Sequence, residues 1–137
     1  MKNTALIRAC IFFQLALSTA VNADDGWVTV AASNDGTTWQ AKSGSLEFTQ
    51  TKGSTPIVVV TGRVTEKSGS RITVEKWYVP VSDCVKEQGT IVTLSISGEF
   101  KYENDFVFGS GNVASGMAEL ICGAAKQKAI EANNKGL

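Results

Sequence analysis

Cys84 and Cys122 are the residues with the most chemistry in reach, set in the stretches "SDC" and "ELICG". A cysteine can serve as nucleophile, metal ligand, redox switch, buried thiol or half of a disulfide. Catalytic thiols usually need a neighbouring base, most often histidine, and the chain contains no histidine. The same lack removes Ser-His-Asp and Cys-His constellations and every zinc site that includes imidazole. No CxxC spacing points to redox catalysis. Carboxylate pairs remain as an enzymatic route: Glu47, Glu66, Glu75, Glu99, Glu103 and Asp105 could supply a glycosidase-like pair. Alternating charge is also what the wet face of an antiparallel sheet displays, and that reading is preferred. No catalytic residue, cofactor or metal site is expected.

Two further groups of residues have chemical potential. Gly109-Ser110-Gly111-Asn112 precedes a helical pattern and could gather backbone N–H groups around an anion. It lacks the lysine and glycine spacing of a P-loop, so a turn that caps the helix is the simpler reading. The aromatics Trp27, Trp39, Trp77, Tyr78, Phe100, Tyr102, Phe106 and Phe108 are more than one small face must bury. Aromatic side chains next to basic ones resemble interaction hot spots, which singles out Trp77, Lys76 and Tyr102 as candidates for contact with a partner.

Export decides the cysteine count. Residues 1–23 have the three parts of a secretory signal: Lys2 and Arg8, an apolar run from Ala9 to Leu17, and the small-residue site Val21-Asn22-Ala23. Cleavage is predicted between Ala23 and Asp24. Cys10 opens the apolar run rather than following it, which argues against a lipid anchor, and the signal's removal takes Cys10 with it. Two cysteines then remain in an oxidising compartment, and they allow a single intramolecular pairing. A bridge between different chains is the open alternative. The intramolecular bridge would close a loop of about 39 residues and stabilise the fold by about 3–4 kcal/mol on the chain-entropy estimate.

The full chain of 137 residues carries 13 basic and 13 acidic side chains. Loss of Lys2 and Arg8 leaves a slight acidic excess, so nucleic acid, which calls for a clustered basic face, is not an expected partner. Residues 24–137 suffice for one domain, and no run in them is long enough to span a bilayer, so no stable membrane insertion is expected. The protein is predicted to be exported, either periplasmic or secreted.

The elements that must position these residues are mostly strands. "WVTVAAS" and "TTWQAK" flank Asn34-Asp35-Gly36, a hairpin signal. "SLEFTQ" alternates as a half-buried strand should. The unbroken Ile57-Val58-Val59-Val60 predicts a central strand with both faces covered. In "RITVEKWYVPV" Ile72 and Val74 share one parity and Trp77, Val79 and Val81 the other, which predicts a β-bulge near Glu75 or Lys76. "TIVTLSISG" predicts another strand, and Asn104-Asp105 a turn pairing Phe100 and Tyr102 with Phe106 and Phe108. From Val113 the apolar spacing becomes helical: Val113, Met117, Leu120, Ile121 and Ala124 form one face. Ser110 or Asn112 is its cap, and Gly116 and Gly123 predict close packing. The tail from about residue 131 has no core pattern and is expected to fray.

This layout resembles the bacterial surface-adhesin E family. The resemblance rests on the early "GW", the stretch "NDGTTWQAKSGSLEF", the mid-chain "SDC" followed by a glycine-led strand, and a last helix containing "AELIC". It implies one antiparallel sheet with a C-terminal helix packed on it and a Cys84–Cys122 disulfide.

The expectation is therefore an α+β domain over residues 24–137, with a single antiparallel sheet of about six strands, a C-terminal helix packed on it and one disulfide. Its expected role is non-enzymatic binding of a macromolecular partner, most simply a protein, as an adhesin-like or envelope-associated module. The alternative is a periplasmic inhibitor or immunity-type protein that blocks an enzyme. An exposed aromatic patch favours the first, a protruding loop the second. Two carboxylates about 5–9 Å apart in a cleft would favour a hydrolase instead.

Overall fold

Isolated β-branched runs form strands, and a computed structural model of the chain, which describes residues 26–135, builds its sheet around one of them. The predicted signal peptide, residues 1–23, and the Ala23/Asp24 cleavage point lie outside the described residues. In chain order the elements are β1 (Trp27–Ala32), β2 (Thr38–Lys42), β3 (Glu47–Gln50), β4 (Pro56–Thr65), β5 (Ile72–Pro80), α1 (Val81–Lys86), β6 (Gln88–Ser95), β7 (Phe100–Val107) and α2 (Val113–Lys135). All strand pairings are antiparallel, in the order β1-β2-β4-β5-β6-β7. β3 lies beyond β2 on the same side of β4, pairing Glu47–Gln50 with Pro56–Val59. The sheet thus has seven strands but is six strands wide.

The hydrophobic core comes from one face of this sheet. Val58 and Val60 of β4, Trp77 and Val79 of β5, Ile91 of β6 and Phe106 of β7 pack under Met117, Ala118, Ile121, Cys122 and Ala125 of α2. Cys84 of α1 and Cys122 of α2 form a disulfide, with Cα atoms 5.4 Å apart. The bridge joins the last helix to a segment leaving the central β5. Lys128 Nζ adds a hydrogen bond of 2.6 Å to the Leu46 carbonyl, holding the far half of α2 over the link between β2 and β3.

Turn chemistry sets the hairpins. Gly36 takes φ 93° between β1 and β2, while the Asp35 carboxylate accepts hydrogen bonds from the Ser33 hydroxyl and from the Thr37 N–H, the latter at 3.0 Å. Those donors, the Ser33 hydroxyl first and the Thr37 backbone next, lower the Asp35 pKa to about 2. The Gly109–Asn112 segment is a turn and cap: the Gly109 N–H donates to Glu119 Oε2 at 2.9 Å, and Asn112 Oδ1 accepts from the Ser115 N–H at 2.8 Å. Buried Ser115 in turn accepts the edge-strand N–H of Val107 at 3.1 Å, so the helix start closes that end of β7.

Several expectations are corrected. β5 pairs with β4 in unbroken register from Ile72 to Pro80, so no bulge lies near Glu75. The parity change arises because Glu75 is itself turned toward the core. Asn104 and Asp105 are not a turn; they pair with Ile91 and Thr90 in a continuous β7, and the reversal falls at Gly98, φ 98°. The segment after Pro80, for which the sequence pattern announced no element, is the short helix α1. The buried stripe of α2 runs through Ser115, Met117, Ala118, Ile121, Cys122 and Ala125, which leaves Leu120 and Ala124 exposed. Gly123 is not closely packed, since an added Cβ would meet nothing within 4 Å. α2 has helical geometry as far as Lys135, past residue 131 where the core pattern ends. Each added helical residue gains a backbone bond without needing burial, and no glycine or proline interrupts between Ala124 and Lys135.

Candidate functional site

A carboxylate on the core face of a strand needs partners. Glu75 is only 2% exposed, two residues before Trp77 and on the same face of β5. Its Oε2 accepts a 2.7 Å hydrogen bond from Trp77 Nε1, and its Oε1 lies 3.2 Å from Lys101 Nζ. Both oxygens are thereby engaged, which is the condition for keeping a charge out of water. The lysine arrives by an irregularity in β7. Thr93 pairs with Tyr102 and Leu94 with Phe100, so Lys101 is the extra residue of a bulge, the device that re-aims a side chain. Trp77 is fully buried and lies flat against Gly62 of β4, where an added Cβ would come within 2.7 Å of the indole Cε3.

Above this group, between the start of α2 and the sheet, lies a cleft of about 390 Å³. Trp77, Ile91 and Thr93 are part of its lining, together with Trp39 and Tyr102 from either flank and Asn104 and Asn112 near the helix start. Thr93 is 4% exposed. Its hydroxyl makes no hydrogen bond among the described residues, yet it is not sealed from solvent, so it opens into the cleft.

The opposite face of the sheet contributes no residue to the core cluster. Ile72 and Val74 of β5 are 56% and 44% exposed there, and Phe100 of β7 is 62% exposed. Between them the register places Lys76 beside Leu94, and Leu94 beside Phe100. At the β1 edge Arg63 and Lys42 approach the Trp27 ring to 4.5 and 5.2 Å from its centroid. Arg63 also donates to Gln40 Oε1 at 2.7 Å. The result is an open apolar band with a basic and aromatic end.

The three residues singled out for partner contact do not form one site. Trp77 is a core side chain with no exposed surface, because its parity in β5 turns it under α2. Lys76 is half-buried on the open face, whereas Tyr102 is exposed beside the cleft on the other side. Sequence reasoning passed over Ile72, Val74 and Phe100 as surface residues and Thr93 as a cleft residue. The odd-even alternation of Ile72 and Val74 against Trp77 and Val79 was the available signal. Glu75 was assigned to the wet face, since its burial depends on Lys101 in a distant strand.

Comparison with known families, curated proteins and solved structures returned no match for this chain.

Proposed function

We propose that the protein is a small exported, non-enzymatic binding domain, adhesin-like or envelope-associated, whose open sheet face contacts a protein partner. The observation that carries this reading is the exposure of Ile72, Val74 and Phe100 on a face that the fold itself leaves uncovered. Contiguous exposed apolar side chains are a cost in water and mark contact surfaces in soluble domains. The neighbouring Trp27, Arg63 and Tyr78 are of the types that dominate binding energy at protein interfaces. Lys42, Arg63 and Lys76 lie on this same face together with Glu47, Glu103 and Asp105, so it offers charge of both signs for pairing across an interface. The non-enzymatic part is supported by Glu75, the carboxylate under the cleft, whose two oxygens are already held by Trp77 and Lys101.

The test places a photocrosslinking residue at Val74 or Phe100, and for comparison at Leu120 on α2, in protein exported by its own cell. A defined adduct from the sheet positions alone, abolished by an added Ile72→Ser, is the expected result. Equal capture at Leu120, or no adduct from the sheet positions, would overturn the assignment.

A further inference from the structure

We propose that the cleft between the start of α2 and the sheet is a binding site for a neutral saccharide of one or two rings. The cleft volume of about 390 Å³ falls within the range of small-molecule sites. Three features of the lining select the ligand class. Trp39 and Tyr102 stand on its flanks and supply aromatic faces, against which the C–H face of a pyranose packs. Thr93, a mostly buried residue, presents to the cleft a hydroxyl that makes no hydrogen bond among the described residues and is not sealed from solvent, so the site holds a polar function available to a ligand. Asn104 adds a side-chain amide that makes no hydrogen bond among the described residues. A molecule with apolar ring faces and hydroxyls around its edge meets both requirements at once.

Charge argues for a neutral ligand. Glu75 and Lys101, beside Trp77 and outside the lining, pair with one another at 3.2 Å. Among the lining residues Asp105 alone is charged. An anion would be repelled by Asp105, and a single exposed carboxylate does not make a cation site. Rigidity argues for a formed site: Trp77, a floor residue, is fixed by Gly62 beneath it and by its hydrogen bond to Glu75, so binding need not order that surface. This site is separate from the open sheet face and does not depend on it.

The experiment titrates the oxidised, processed protein, labelled with 15N, with cellobiose, maltose and N,N′-diacetylchitobiose. Its three tryptophans report by position. Saturable shifts of the Trp39 and Trp77 indole N–H signals by at least one disaccharide, with Trp27 on the opposite face unmoved, are the expected result. Thr93→Val keeps shape and burial and should weaken that binding about 3- to 10-fold, the effect of losing one neutral hydrogen bond. Tyr102→Ala, at an exposed position, should weaken it at least as much, with unchanged circular dichroism. No saturable shift with any of the three sugars, shifts centred on Trp27, or Thr93→Val binding as tightly as the parent would each overturn the proposal.

Discussion

The contact between Gly62 and Trp77 allows a test in which two opposing effects have known sizes. Gly62 lies inside β4 and has none of the positive-φ geometry that would require glycine. Alanine there would ordinarily stabilise by about 0.5–1 kcal/mol through the unfolded chain. The structure predicts the opposite sign, because the new Cβ would overlap the six-membered ring of Trp77 and sit 2.7 Å from its Cε3. The indole is fully buried and hydrogen-bonded to Glu75, so it cannot retreat cheaply. Overpacking costs about 1–3 kcal/mol, and contacts this close to a ring that cannot move call for the upper part, about 2–3 kcal/mol. Less the gain of about 0.5–1 kcal/mol, the net loss is about 1–2.5 kcal/mol, and in a domain of this size each kcal/mol lowers Tm by about 4–8 °C. Gly62→Ala should therefore lower Tm by about 5–15 °C in thermal circular dichroism and shift the Trp77 indole N–H resonance. Gly123→Ala is the matched control: the same atoms are added in open space on α2, and a gain of about 0.5–1 kcal/mol is expected. If Gly62→Ala proves as stable as the parent, the close approach of indole to β4 is wrong, and with it the rigid floor of the cleft.

Reduction of Cys84–Cys122, or the double Cys84→Ala, Cys122→Ala variant, should cost about 3–4 kcal/mol in urea unfolding, and amide exchange should rise in α1 and α2 before β4 and β5; uniform loss of protection would refute the bridge as a local clamp. Lys101→Met strips Glu75 of its cation and should cost about 1–3 kcal/mol, less than for a fully buried pair because Lys101 reaches solvent; adding Glu75→Gln should recover part of the loss, and no recovery would refute the pairing. The Asp35 pKa of about 2 lies below the ordinary 3.8, so its hairpin contribution is present above about pH 4 and is lost as pH falls through about 2. An NMR titration of the Asp35 carboxyl should show that low midpoint, and a midpoint near 4 would refute it.

What could be read from the sequence was what local chemistry decides. Ile57–Val60 marks the central strand because four apolar β-branched residues in a row are a strong strand signal, although only Val58 and Val60 face α2, while Ile57 and Val59 lie on the face without a covering layer. Asp35-Gly36 marks its hairpin because glycine supplies the positive φ the turn needs. The cysteine pair followed from elimination, with no histidine to activate a thiol and, on the expectation that residues 1–23 are removed, no third cysteine to compete. The misreadings share a different origin. α1 spans six residues, too few for a helical period to register, although Pro80 ahead of it and Asp83 in its first turn are the usual signs of a helix start. Asn104-Asp105 has turn chemistry, but β6 offers Ile91 and Thr90 as partners, and long-range pairing overrode the local preference. Glu75 looked like a wet-face residue because its partner Lys101 lies 26 residues further along the chain and is aimed at it only by the bulge in β7.

The existence of a cleft follows from the widths of the two layers. Six strands about 4.8 Å apart span roughly 24 Å between the outer axes, whereas one helix with its side chains is about 10 Å across. A single α2 therefore cannot cover the face it packs on. It meets β4 and β5 in the middle of the sheet and, at its start, the edge strands β1 and β7, where Ser115 accepts the Val107 N–H and an added Cβ on Gly116 would lie 3.7 Å from the Val30 carbonyl oxygen. The margins of the face between these contacts must be filled by large side chains or left wet. Trp39 and Tyr102 stand at those margins, with Trp77 below. With apolar residues at every floor position the helix start would gain by settling onto the sheet; the Thr93 hydroxyl, which makes no hydrogen bond among the described residues, opposes that, because covering it without a partner costs more than the apolar contact returns. The same hydroxyl that keeps the cleft open is one of the groups that match it to a ligand with hydroxyl groups.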